Sequence, residues 1–116
     1  MAEPALTLVV IRSVDVEKAV RFYRALGFAF AKERHGTGPE HYACEIGPTV
    51  FEIYPCGPEL PAPSGVRLGF RVASLDALLA ELRTQEVEIV SAPRNTPWGR
   101  RAVIVDPDGH RVEISE

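Results

Sequence analysis

Apolar residues along this 116-residue chain fall into two successive runs of the same pattern. Leu6 to Ile11 is an unbroken stretch rich in β-branched residues and reads as a buried strand. Asp15 follows as a helix N-cap candidate, because its carboxylate can accept bonds from the free amides of a first turn. Val16, Ala19, Val20, Tyr23 and Leu26 then recur at three- and four-residue spacing, which predicts a helix with one apolar face, stopped at Gly27. Phe28 to Lys32, His41 to Ile46 and Val50 to Tyr54 are the next expected strands, the last two bent around Gly47-Pro48.

Four prolines and two glycines between Pro55 and Gly65 exclude a regular element there, and the segment reads as a linker. After it the pattern restarts. Val66 to Val72 is a strand, Ser74 a cap, and Leu75, Leu78, Leu79 and Leu82 form a helical stripe. Val87 to Val90, Arg101 to Val105 and Arg111 to Ile114 complete the second set of strands, with Ser91 to Arg101 left as a loop. Asp106-Pro107-Asp108-Gly109 supplies the last turn. Sliding the chain along itself by about 59 positions superposes the first strand and helix of each run; near the module ends the offset is about 61. The expected organisation is a single domain of residues 1–116: module one about 5–55, linker about 56–65, module two about 66–115.

Strand alternation sorts side chains by face. Phe51 and Ile53 oppose Glu52 and Tyr54; Val112 and Ile114 oppose Glu113. With the apolar sets under the helices, both glutamates are expected on the opposite face.

Composition changes this picture little. A net charge of −3 without a long basic run argues against nucleic acid, and no apolar stretch is long enough to span a bilayer. Cys44 and Cys56 form no Cys-x-x-Cys pattern, and no charged-then-apolar leader is seen, so a cytoplasmic protein is expected.

Two stretches carry a family resemblance. Asp15-Val16-Glu17-Lys18-Ala19-Val20-Arg21-Phe22-Tyr23-Arg24-Ala25-Leu26-Gly27-Phe28 resembles the first helix of the vicinal oxygen chelate superfamily, which holds glyoxalase I, bleomycin-resistance proteins, fosfomycin-resistance enzymes and extradiol dioxygenases. Trp98-Gly99, followed by Asp106-Pro107-Asp108-Gly109-His110-Arg111-Val112-Glu113-Ile114, resembles its C-terminal signature. The resemblance implies an α+β fold of two βαβββ modules, forming a curved eight-stranded mixed sheet around a cleft with helices on the convex face. It also implies a homodimer, in which modules of different chains can complete each cleft.

Metal-dependent members of that superfamily place ligands on the first, fourth, fifth and eighth strands, positions that correspond here to Leu8, Glu52, Arg67 and Glu113. Leucine cannot coordinate, and a guanidinium stays protonated and repels a cation. No metal or other cofactor is therefore expected at these positions. Arg67 is expected instead to bridge Glu52 and Glu113 by charge-assisted hydrogen bonds. The plain alternative is that both glutamates are solvated charges on an open sheet.

Of the histidines, His35 in a glycine-rich turn and His110 after the final turn are expected at the surface, and His41 opens a strand. Trp98, the only tryptophan, has two readings: stacking on a flat ligand, or capping the core beneath its loop. Arg101 is a candidate holder of a carboxylate or phosphate. The expected ligand-binding cleft is Leu8, Glu52, Tyr54, Arg67, Trp98, Arg101 and Glu113, with no catalytic residue assigned. The function this implies is small-molecule binding or sequestration. The alternative is a metal-assisted lyase, isomerase or dioxygenase of the glyoxalase type that uses Glu52 or Glu113.

Overall fold

A computed structural model describes residues 3–57 and 65–116. Module one contains β1 (Leu8–Ser13), α1 (Val16–Ala25), β2 (Ala31–Glu33), β3 (His41–Ile46) and β4 (Thr49–Pro55). Module two repeats the order with β5 (Arg67–Arg71), α2 (Leu75–Arg83), β6 (Ile89–Thr96), β7 (Gly99–Val105) and β8 (Arg111–Ser115). This is the expected α+β pair of βαβββ units. Hydrogen bonding divides the eight strands into two four-stranded mixed sheets, ordered β1-β4-β3-β2 and β5-β8-β7-β6. In each, the first and fourth strands of the module pair in parallel and the rest pair antiparallel.

Both helices start where a short polar side chain caps them. Asp15 Oδ1 accepts from the Lys18 amide at 3.1 Å, and Ser74 Oγ accepts from the Ala77 amide at the same distance. Gly27, at φ +110°, turns the chain out of α1 in a conformation that costs a side-chain-bearing residue more. Ala19, Val20, Phe22 and Tyr23 of α1 are buried, as are Leu75, Leu78, Leu79 and Leu82 of α2. With Ile11, Phe51, Ile53, Ile104, Val112 and Ile114 from the strands they form one core shared by both modules. Phe28 and Phe51 of module one lie 4.9 and 6.0 Å, centroid to centroid, from Phe70 of module two. No described helix is long and apolar enough to cross a membrane.

Three expectations are corrected. The strand expected over Phe28 to Lys32 is only Ala31–Glu33, because Phe28 and Phe30 turn into the core instead of joining the ladder. The stretch from Ser91 to Arg101 is not a loop: β6 runs on to Thr96 and meets β7 in a tight hairpin. Pro93 is tolerated there because β6 is an edge strand whose pairing with β7 shifts register between Ser91 and Arg94. His110, expected at the surface, is 2% exposed and bonded to Asp106. Most of the expected linker, residues 58–64, lies outside the described residues.

Candidate functional site

Each sheet turns one face to the shared core and leaves the other open. On β1, Ile11 and Ser13 are buried and Val9 packs against the core, whereas Leu8, Val10 and Arg12 alternate with them, and the ladder places these last three beside Val50, Glu52 and Tyr54 of β4. In module two the open face carries Arg67, Gly69 and Arg71 of β5 with Glu113 and Ser115 of β8. Arg101 and Val103 of β7 pair with Ser115 and Glu113 and so share that face. Alternation of apolar and polar positions along β4 and β8 thus sorts Glu52, Tyr54 and Glu113 correctly by face.

The face of module two is the more basic. Arg67 donates to Glu113 Oε1 at 2.9 Å, and Arg101 approaches the same oxygen at 2.7 Å. The Arg67 hydrogen bond, followed by the charge of Arg101, holds the Glu113 carboxyl below the usual carboxylate range against a partial desolvation cost. Two guanidinium groups sharing one carboxylate leave a surplus of positive charge, extended by Arg71 and Arg94 nearby. An open depression of about 380 Å³ is bounded by Gly69, Phe70, Arg71, Trp98, Arg101, Glu113 and Ser115. A smaller one of about 110 Å³ lies among Arg67, Ser91, Arg94 and Glu113. Trp98 stands at the β6–β7 turn, 79% exposed, so it does not cap the core.

Leu8, Glu52 and Tyr54 lie on the open face of module one. Arg67 forms an ion pair with Glu113 and none with Glu52, so the expected three-residue bridge is not made within the chain. Glu52 instead faces His41, its Oε2 3.4 Å from Nε2. His41 is 1% exposed, its ring stacked on Tyr54 at 4.0 Å with the planes 9° apart. The β2–β3 hairpin sets Glu33 opposite His41, and His35 from the adjoining turn brings its ring within 5.2 Å of the His41 ring. Glu33, His35, His41 and Glu52 offer four donor atoms within 4.8 Å of one another. The sequence reading passed over this group, although Glu33, His35 and His41 share one parity around a turn-rich stretch and a hairpin there brings them together.

The positions that hold metal in metal-dependent relatives do not fit an ion here. Leu8 has no donor atom, and Arg67 brings a fixed positive charge directly onto Glu113.

Comparison with known proteins agrees with the architecture. The profile of the Glyoxalase/Bleomycin resistance protein/Dioxygenase superfamily matches residues 5–114. A Mycolicibacterium smegmatis protein is 28% identical over 110 residues, covering 95% of this chain and 91% of the relative. The crystal structure of TnmS3, an antibiotic binding protein from Streptomyces sp. CB03234, is 30% identical with a TM-score of 0.76, covering 99% of this chain and 97% of that one. A glyoxalase/bleomycin resistance protein from the same organism is 29% identical with a TM-score of 0.72, covering 97% of this chain and all of its own (100%).

Proposed function

Given that this chain belongs to the glyoxalase/bleomycin resistance protein/dioxygenase superfamily, we propose that it binds and sequesters a small planar molecule bearing an anionic group. The observation that carries this reading is the pairing of Trp98 with Arg101 around one open depression beside Glu113. An indole offers a flat apolar surface for stacking, and a guanidinium offers paired donors to a carboxylate or phenolate. Likeness to the antibiotic binding protein TnmS3 supports an antibiotic as the class of ligand, and the exposed indole of Trp98 is what favours a planar one. Sequestration is favoured over turnover because the nearest carboxylate, Glu113, is tied to two arginines and held ionised, which makes it a weak base.

The chain acts in this reading as a homodimer. Leu8 and Val10 remain 53% and 38% exposed on an otherwise ordered sheet face. Closing that face against the basic face of a second copy covers this apolar surface and walls the depression.

Trp98 is the sole tryptophan, so intrinsic indole emission reports on this site alone. Titration with planar aromatic carboxylates and with planar antibiotics bearing an acidic group is expected to quench it saturably, and Arg101→Ala to weaken the effect about tenfold or more. The ligand is expected back unchanged by chromatography. First-order conversion of any bound compound overturns sequestration in favour of catalysis.

A further inference from the structure

We propose that Glu33, His35, His41 and Glu52 form a binding site for a divalent first-row transition metal ion, zinc being the simplest case. The site lies in module one and does not depend on the binding proposed for the Trp98 depression.

The first argument is the donor set. Two imidazole nitrogens and two carboxylates suit zinc and its neighbours, whereas calcium and magnesium favour all-oxygen shells. The second is spacing. Four ligands about 2.1 Å from a tetrahedral centre stand about 3.4 Å apart. Here His35 Nε2 is 3.3 Å from Glu33 Oε1, His41 Nε2 is 3.4 Å from Glu52 Oε2, and His41 Nε2 is 3.6 Å from Glu33 Oε1. All four donor atoms fall within 4.8 Å of one another.

The third argument is independent of clustering. His41 Nδ1 lies 3.2 Å from the Pro39 carbonyl oxygen, which can only accept, so Nδ1 carries the ring proton. In the neutral ring this leaves the Nε2 lone pair directed at the carboxylates. That Nε2 is buried, and among the described residues it has no hydrogen-bond partner of acceptable geometry. A nearly fully buried imidazole with one nitrogen anchored on a backbone carbonyl and the other unpartnered has the arrangement that orients histidine ligands toward metals. Stacking on Tyr54 fixes the ring plane as well. Glu33 and His41 are cross-strand partners and Glu52 lies on the adjacent strand, so three of the four donors sit on rigid ladder positions. Only Glu52 belongs to the four strand positions at which metal-dependent relatives bind; the other three donors come from β2, β3 and the turn between them.

The test is calorimetric titration of the full, tag-free, chelator-treated chain with zinc chloride at neutral pH, repeated with cobalt(II) for its absorption spectrum. One zinc per chain with micromolar or tighter affinity is expected, together with the intense visible bands of four-coordinate cobalt. His35→Ala and Glu33→Gln alter exposed or half-exposed side chains, so folding is expected to survive and is checked by circular dichroism. Each is expected to weaken zinc binding about tenfold or more. Glu81→Gln, which removes an exposed carboxylate on α2, is expected to leave it unchanged. Absence of saturable binding to the parent chain overturns the site, as a doubly protonated His41 held between Glu33 and Glu52 would give. Parent affinity retained by either folded variant overturns it equally.

Discussion

The Tyr23 hydroxyl donates to Asp106 Oδ2 at 2.7 Å across 83 residues of sequence, joining the helix of module one to the last turn of module two. His110 Nδ1 meets the same oxygen at 2.6 Å, and the amides of Asp108 and His110 donate to the other. A buried carboxylate is thus satisfied from both modules, and the helix and turn that carry the family resemblance meet at this one group. Removing the hydroxyl in Tyr23→Phe is expected to cost about 2 kcal/mol, the range for a buried bond to a charged group, read as a lower midpoint in urea.

The same contact makes an alkaline prediction. Burial first, then the charge and hydrogen bond of Asp106, push the Tyr23 phenol far above its ordinary value. Unfolded chain loses that proton near pH 10 while folded chain keeps it, so the unfolded state binds fewer protons and stability falls as pH rises. The contribution is fully present below about pH 10 and is lost above it. Thermal melts from pH 9 to 11.5 are expected to show a smaller decline for Tyr23→Phe than for the parent chain; parallel declines would falsify the assignment.

Glu113 gives an acidic counterpart. Its folded carboxyl is held below the usual range chiefly by the Arg67 hydrogen bond, so its stabilising contribution is present above the unfolded value near 4.3 and disappears as pH falls through the folded one. Carbon-detected NMR titration is expected to place the midpoint low in the parent chain and to move it upward in Arg67→Ala. An unmoved midpoint would assign the shift to Arg101 alone.

Phe51 is 2% exposed and touches Tyr23, Phe28, Phe30 and Phe70, aromatic residues of both modules. Phe51→Ala is expected to cost about 3–5 kcal/mol, the sum of lost transfer energy and a residual cavity. Denaturant unfolding measures it, and a loss under about 1 kcal/mol would mean that the modules do not share one core.

Dimerisation is checked by sedimentation at micromolar concentration. The parent chain is expected at twice its 12.7 kDa mass, and Val10→Asp, which sets a charge on the exposed apolar strip, at the monomer mass. A parent chain sedimenting as a monomer removes the dimer from the functional reading.

Local regularities sufficed for much of this. Helix caps at Asp15 and Ser74, the stop at Gly27, the restart after the proline-rich stretch and the alternation along β4 and β8 are all short-range effects of hydrogen bonding and periodicity, and each is written in neighbouring residues. They determined the module order and which side of its sheet each of Glu52, Tyr54 and Glu113 occupies. Tertiary structure decided the partners. His110 is buried because the Asp106 turn folds beneath α1, a fact that no local pattern around His110 contains. Trp98 stands clear of the core because β6 persists past Pro93 as an edge strand. Arg67 pairs with Glu113 and leaves Glu52 to His41 because hydrogen bonding closes each sheet within its own module. Periodicity specifies a face; only the placing of distant strands and turns side by side specifies which charges meet on it.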